Sequence, residues 1–295
     1  MTRRLTGFIH DKFIIFTKAK IATSFLHTHL EIKHGGLRFD IDFNDTFLKD
    51  YTIKWGGDSG TNDRLELLDN IKKEITKIYE GKSKLDIYFL YRDVKDRFYS
   101  AFVQDNFSGD HLYQWLTLNA PQGRIPNEYF KQYLINKFSA EEVTSFFDYL
   151  TDSKNLEKFK DKSTLVDFLK EDTNNLKMFE ILAEEILEMN LNKIRHFKHN
   201  HNESYLFLYY YLYNTFDKNK CNFVKLTDLN NVLNKYLETN LASDVRENPT
   251  PSLLSAIVRK SFESKSENLA LFESLFSDDL HLYDIFEAIR ENKLK

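Results

Sequence analysis

Leu85-Asp86-Ile87-Tyr88-Phe89-Leu90-Tyr91-Arg92-Asp93-Val94-Lys95-Asp96-Arg97-Phe98-Tyr99-Ser100-Ala101-Phe102 changes its hydrophobic period once, and that change decides the fold class. As far as Tyr91 the run is apolar apart from Asp86, which predicts a strand. Past Arg92-Asp93 the apolar positions Phe98, Phe102 and Val103 fall at helical spacing. The segment reads strand, turn, helix.

Toward the amino terminus the same alternation recurs. Phe13-Ile14-Ile15-Phe16 is a short unbroken apolar run suited to a strand buried on both faces, and Thr23-Ser24-Phe25-Leu26 is able to open a helix after it. Leu37 to Phe43 alternates apolar and charged residues with period two, the pattern of a half-exposed strand. Trp55 to Gly60 is a glycine-rich loop, and Leu65, Leu68, Ile71, Ile75 and Ile78 predict an amphipathic helix over Asp63 to Glu80 that Gly81 stops. From about Asn127 the patterns are helical, except that Asn222 to Leu226 suits a strand returning to the sheet; Pro249 and Pro251 precede two last helices. Strands alternating with helices predict an α/β chain with a parallel sheet flanked by helices and a large, mostly helical C-terminal half. Ligands of such sheets bind beyond the carboxyl ends of the strands, at the turns Thr17 to Ser24 and Arg92 to Arg97.

The 295 residues carry a net charge of −4, so there is no global footprint for nucleic acid and any bound anion needs local groups. Cys221, the only cysteine, excludes intramolecular disulfides and thiolate-rich metal sites and fits a reducing compartment. Arg3 and Arg4 precede an apolar stretch that His10, Asp11 and Lys12 interrupt, unlike a signal peptide. The longest apolar run, Tyr205 to Tyr213, is about half of the ~20 residues a spanning helix needs. A soluble, cytoplasmic protein without nucleic-acid or membrane partners is expected; the oligomeric state is not written in the chain.

Arg92 stands where a buried strand ends and a helix begins, so its guanidinium and the helix amides can face one anion. The same residues also suit a surface cluster in which Arg92 pairs with Asp93, and Arg97 with Asp93 or Asp96. The spelling favours the anion. Tyr91 to Phe102 resembles the 3′-phosphate motif of sulfotransferases, closest to carbohydrate and bacterial-type members: Arg-Asp-Pro, two residues, Arg, two residues, Ser-Ala-Tyr. Arg92, Asp93, Arg97, Ser100 and Ala101 fall in register, with Val94 for the proline and Phe102 for the tyrosine. The resemblance implies a P-loop-like fold in a single domain. Residues 1–110 would form the nucleotide-binding α/β core and 111–295 the mostly helical part shaping the acceptor cleft. It also implies 3′-phosphoadenosine 5′-phosphosulfate (PAPS) as donor, adenosine 3′,5′-bisphosphate as product, and a glycan or other hydroxylated acceptor. Arg92, Arg97 and Ser100 would serve the 3′-phosphate.

The family's other nucleotide motif, Pro-Lys, three residues, Thr-Ser, has an irregular counterpart in Thr17-Lys18-Ala19-Lys20-Ile21-Ala22-Thr23-Ser24. By resemblance Ala22, Thr23 and Ser24 and a lysine surround the 5′-phosphosulfate. Lys18 comes directly off the strand and Lys20 remains an alternative. Phe223-Val224-Lys225-Leu226-Thr227-Asp228-Leu229 and Leu275 to Tyr283 are similar to later segments of the family. A sulfuryl group carries less charge than a phosphoryl group, so cationic side chains and amides suffice for its transfer and no metal is expected.

A base for the acceptor hydroxyl is required, in the family a histidine or glutamate near the second strand. His27, His29, Glu31 and His34 crowd that region, with Asp58 an outside candidate; His34, before Gly35-Gly36, is slightly preferred. His196, His199, His201 and Glu203 raise a zinc site, but read better as a polar loop with Asn200 capping the next helix. Asp217 to Asp228 lacks the glycine and closing glutamate of a calcium loop, and the aromatic run Tyr205 to Tyr213 suits core packing better than sugar stacking. Two other readings compete: a P-loop phosphotransferase, against which Gly-x-x-x-x-Gly-Lys-Ser/Thr is absent, and a noncatalytic nucleotide-binding module of the same fold.

Overall fold

The structure is a computed structural model, described over residues 3–18, 21–44, 50–55, 63–107, 127–158, 162–191, 205–237 and 252–294. Its contacts divide the chain into two units. The first comprises Met1–Val94, Ser204–Asn248 and Ser277–Lys295, the second Lys95–Glu203 and Pro249–Phe276.

The first unit holds a six-stranded sheet built from β1 (Arg3–Ile9), β2 (Phe13–Thr17), β3 (Leu37–Phe43), β4 (Tyr51–Trp55), β5 (Asp86–Tyr91) and β6 (Cys221–Lys225), in the order β4-β3-β1-β2-β5-β6. The chain is α/β, as its alternating patterns predict, but the sheet is mixed and not parallel throughout. β2, β5 and β6 run parallel, whereas β1 is antiparallel to β2 and β3, and β3 to β4. The reason is connection length. His10, Asp11 and Lys12, the residues that interrupt the amino-terminal apolar stretch, are the turn between β1 and β2, and a parallel crossover needs about a dozen residues or more. The link from β3 to β4 is also short, closed by the Asn44 amide on the Asp50 carbonyl at 2.8 Å.

Helices cover both faces. Phe16, Phe39 and Phe89 share one face, where Phe89 stacks on both Phe16 and Phe216, the latter following α9 (Tyr205–Thr215), and Tyr79 of α2 (Asp63–Tyr79) meets the Phe216 ring edge-on. α2 ends as its sequence predicts, with Gly81 at φ +68° and the Lys82 amide returning to the Lys77 carbonyl. Gly7 is required on this face, since a Cβ there would stand 2.2 Å from the Phe39 ring. On the other face Phe13 and Tyr88 receive Tyr236 of α10 (Leu229–Leu237). α1 (Thr23–Leu26) continues without a break into a π-helical segment, His27–Ile32, that packs against β3.

The second unit is helical: α3 (Val94–Phe107) from Lys95 onward, α4 (Asn127–Ile135), α5 (Ala140–Thr151), α6 (Ser153–Lys158), α7 (Lys162–Glu171), α8 (Thr173–Leu191), α11 (Ser252–Glu263) and the start of α12 (Ser266–Leu294). Phe98 packs among Phe262, Phe272 and Phe276, and α11 lies against α8. Ser139 and Glu142 form a reciprocal capping box at the start of α5. α12 bends at Phe276, which has non-helical φ −114° and ψ 15°, and the two units divide there. Among the described residues no helix is long and apolar enough to cross a membrane.

Candidate functional site

The parallel pairing of β2 with β5 matches Phe13 to Asp86 and Phe16 to Phe89, so the two strands end level to within one residue and their following turns leave the same edge of the sheet. Two tyrosines of α9 hold these ends. The Tyr209 hydroxyl lies 2.9 Å from the Phe16 carbonyl and 3.0 Å from the Leu90 carbonyl, sharing its proton between them. One turn earlier, the Tyr205 hydroxyl accepts from the Arg92 amide and donates to the Arg92 carbonyl, each at 3.3 Å. One side of the aromatic run is therefore core, with Tyr205, Leu206, Leu208, Tyr209 and Leu212 buried, while Phe207 and Tyr210 are exposed.

The turn after β2 is tightly organised. Thr17, fully buried, donates its hydroxyl to the Ile21 carbonyl; the Thr23 hydroxyl donates to the Lys18 carbonyl at 3.1 Å, and the Ile21 amide to the same carbonyl at 3.0 Å. Ala22 then takes φ 55° and ψ 19°, a positive φ found at no other non-glycine among the described residues. A left-handed residue directly before right-handed Thr23 and Ser24 gathers successive amides into a concavity suited to an anion. Glycine is absent from this loop, and Ala22 adopts the conformation a glycine would serve, at a cost of about 1–2 kcal/mol. The Lys18 ammonium donates to the Arg4 carbonyl at 2.8 Å, since antiparallel β1 brings its amino end to this edge. Lys20 lies outside the described residues.

At the end of β5, Arg92 and Asp93 are partly exposed in the turn before α3. The division between units falls after Val94, so Arg97 and Ser100 belong to the second unit, where they are buried, at 4% and 3% exposure. In that unit Asp96 pairs with Arg259, and Tyr99 donates to Glu263 at 2.8 Å.

The candidate bases separate by the register of β3. Leu37 pairs with Ile9, Ile9 with Ile14 and Ile14 with Ile87, so β3 begins at the amino edge of the parallel strands. His34, three residues earlier, is thus on the opposite edge from Lys18 and Arg92, roughly 10 Å or more away for three residues of strand. His29 is buried against Phe25, with ring centroids 4.4 Å apart. His27 and Glu31 instead form a pair, Nδ1 to Oε2 at 2.6 Å, with side chains 45% and 19% exposed, on the helical run that leaves the Ala22 turn. The π-helical winding begins at His27. Asp58, and the cluster of His196, His199, His201 and Glu203, fall outside the described residues. Among those described, no group of three or more His, Cys, Asp or Glu is arranged to hold a metal ion. Asp217 closes a turn into β6, its carboxylate accepting from the Asn219 amide at 3.0 Å.

Two charged clusters at the same edge were not legible in the sequence. Asp42, 3% exposed, accepts from Arg4 Nε at 2.6 Å and from Lys54 at 2.7 Å. The Arg4 hydrogen bond, reinforced by Lys54 and both charges, holds its carboxyl below the usual value despite burial. Lys225, opposite Tyr91 in register, pairs with Glu287, which also accepts from the Tyr91 hydroxyl, and Arg290 joins Glu287 to Asp228. Burial and then the Glu287 hydrogen bond push the Tyr91 phenol far up. Burial also pushes Glu287 up, but the hydrogen bonds from Lys225 and Tyr91 outweigh it and leave the carboxyl below its ordinary range. Only contacts between distant segments reveal either cluster.

Comparison with protein-family models, curated proteins and solved structures returned no match.

Proposed function

We propose that this chain is a PAPS-dependent sulfotransferase whose donor site lies at the carboxyl edge of β2 and β5. The observation that carries this reading is the level ending of those two parallel strands, which sets the Ala22 turn beside Arg92. A donor with phosphate groups at both ends of an adenosine needs two anion-binding turns side by side. The spelling of Tyr91 to Phe102 supports the same donor.

PAPS, when bound, supplies an activated sulfuryl group on a phosphate leaving group. Arg92, held by Tyr205 through its backbone, binds the 3′-phosphate by charged hydrogen bonds. The amides of Ala22, Thr23 and Ser24 receive the 5′-phosphate, and Lys18 neutralises the charge it gains as the sulfuryl group leaves. His27 is the base: Glu31 orients its Nδ1–H, which leaves Nε2 to take the proton of a glycan or other acceptor hydroxyl. The site draws on the first unit alone.

One observation favours a second reading, a nucleotide-binding module without transfer: the Lys18 ammonium is engaged by the Arg4 carbonyl. In that case Lys18→Ala leaves bisphosphate affinity unchanged and no sulfuryl transfer is measurable in either protein.

Calorimetric titration with adenosine 3′,5′-bisphosphate, beside AMP and ATP, tests the site on the wild type and Arg92→Ala. Tight binding of the bisphosphate alone is expected, weakened in the variant by about 1.5–3 kcal/mol, the worth of a charged hydrogen bond. Absence of bisphosphate binding, or equal binding by Arg92→Ala, overturns the assignment.

A further inference from the structure

The amino edge of the sheet, opposite the Ala22 and Arg92 turns, carries a separate pair of polar groups. Arg38 pairs in register with Phe8 of β1 and shares a face of the sheet with it, and His10 follows in the turn just past the end of β1. The His10 ring stacks on Phe13 with centroids 5.3 Å apart. Phe13 shares that face with Ile15, the register partner of Phe8. Leu30 of the π-helical segment closes over Gly36, where a Cβ would stand 2.7 Å from Leu30 Cγ.

Two nitrogens in this corner, His10 Nδ1 and Arg38 Nε, are buried and have no hydrogen-bond partner. A buried polar nitrogen without a partner costs about 1–3 kcal/mol, so two in one corner, both of them donors when Nδ1 carries the imidazole proton, call for an explanation. Arg38 also has no ion pair among the described residues. The carboxylate nearest in sequence on its own strand face, Asp40, accepts the Thr6 hydroxyl at 2.8 Å. A single group with two acceptor oxygens and a negative charge answers both the unpaired nitrogens and the uncompensated guanidinium; a water answers only the first.

We infer that His10 and Arg38 form a second ligand site that takes a small oxyanion, a carboxylate or a sulfate or phosphate group, with Phe13 beneath the histidine as an apolar floor. It is independent of the donor site, which lies across the sheet at the other edge.

The test is titration of the full chain with sodium sulfate, and separately with sodium acetate, followed by the nitrogen shifts of the His10 imidazole in ¹⁵N-labelled protein. These shifts report the corner itself and do not respond to anion binding at Lys18 or Arg92. A saturable shift is expected, with apparent affinity lowered about tenfold or more by Arg38→Met, which keeps the stem and removes the charge. His10→Phe preserves the stacking on Phe13, and in it calorimetry should lose one of the sulfate sites. The tighter of the two anions identifies the ligand as tetrahedral oxyanion or carboxylate. A wild-type His10 shift unmoved by both salts overturns the site, as does equal affinity in Arg38→Met; the nitrogens are then bridged by a water only. The wild-type shifts decide the matter even if a variant does not fold.

Discussion

The Tyr209 hydroxyl spans the ends of β2 and β5, 2.9 Å from the Phe16 carbonyl and 3.0 Å from the Leu90 carbonyl. A phenol from a helix 119 residues downstream of Leu90 thereby locks the spacing of the two turns on which the proposed donor site depends.

Tyr209→Phe removes that bridge and leaves two buried carbonyls short of a donor. A loss of about 1–3 kcal/mol is expected, read as a lower urea midpoint with unchanged slope. Bisphosphate affinity should fall as well, because the turns are no longer held level. Unaltered affinity in a destabilised variant would make Tyr209 a packing residue only.

Ala22→Gly relieves a left-handed backbone strain of about 1–2 kcal/mol, offset by about 0.5–1 kcal/mol of extra chain entropy in the unfolded state. A net change between about zero and a gain of about 1.5 kcal/mol, with intact bisphosphate binding, is expected. Ala22→Val, whose branched side chain resists positive φ, should lose stability and binding together. Thermal melts with and without the bisphosphate separate the two effects.

His27→Ala should lower sulfuryl transfer about 10²–10⁴-fold, the usual worth of a general base, without changing affinity for the bisphosphate. Glu31→Gln should lower turnover by less, since it loosens the imidazole but leaves it present. His34→Ala, on the far edge, should leave both quantities as they were. A reversal of the His27 and His34 results would move the acceptor site to the other edge.

Asp42 titrates below its ordinary value of 3.8 because Arg4 and Lys54 hold its ionised form. A depressed folded-state pKa contributes stability that is present above the unfolded value and lost as pH falls through the folded one. Urea midpoints should therefore drop on acidification below about pH 4, and Asp42→Asn should flatten that part of the curve. Because Arg4 and Lys54 are more than half exposed, salt should weaken the effect.

Some of the fold was legible because local pattern and burial agree. The apolar run before Arg92, the period-two alternation of Leu37 to Phe43, the helix stopped by Gly81 and the returning strand near Phe223 each bury one continuous stripe or face. β1 was not legible, since its apolar residues are few and the turn that defines it looked like an interruption. β4 was not either, since Tyr51 to Trp55 alternates over only five residues.

From sequence alone came the α/β class, the strand-turn-helix at Arg92 and the lysine-bearing turn at Lys18, because each is set by residues near one another in the chain. Tertiary structure alone decided the mixed sheet, the left-handed backbone of Ala22, the tyrosine bridge between strand ends and the edge on which each histidine stands. These depend on register and on contacts between segments far apart, and a one-residue pattern carries no record of which strand lies beside which.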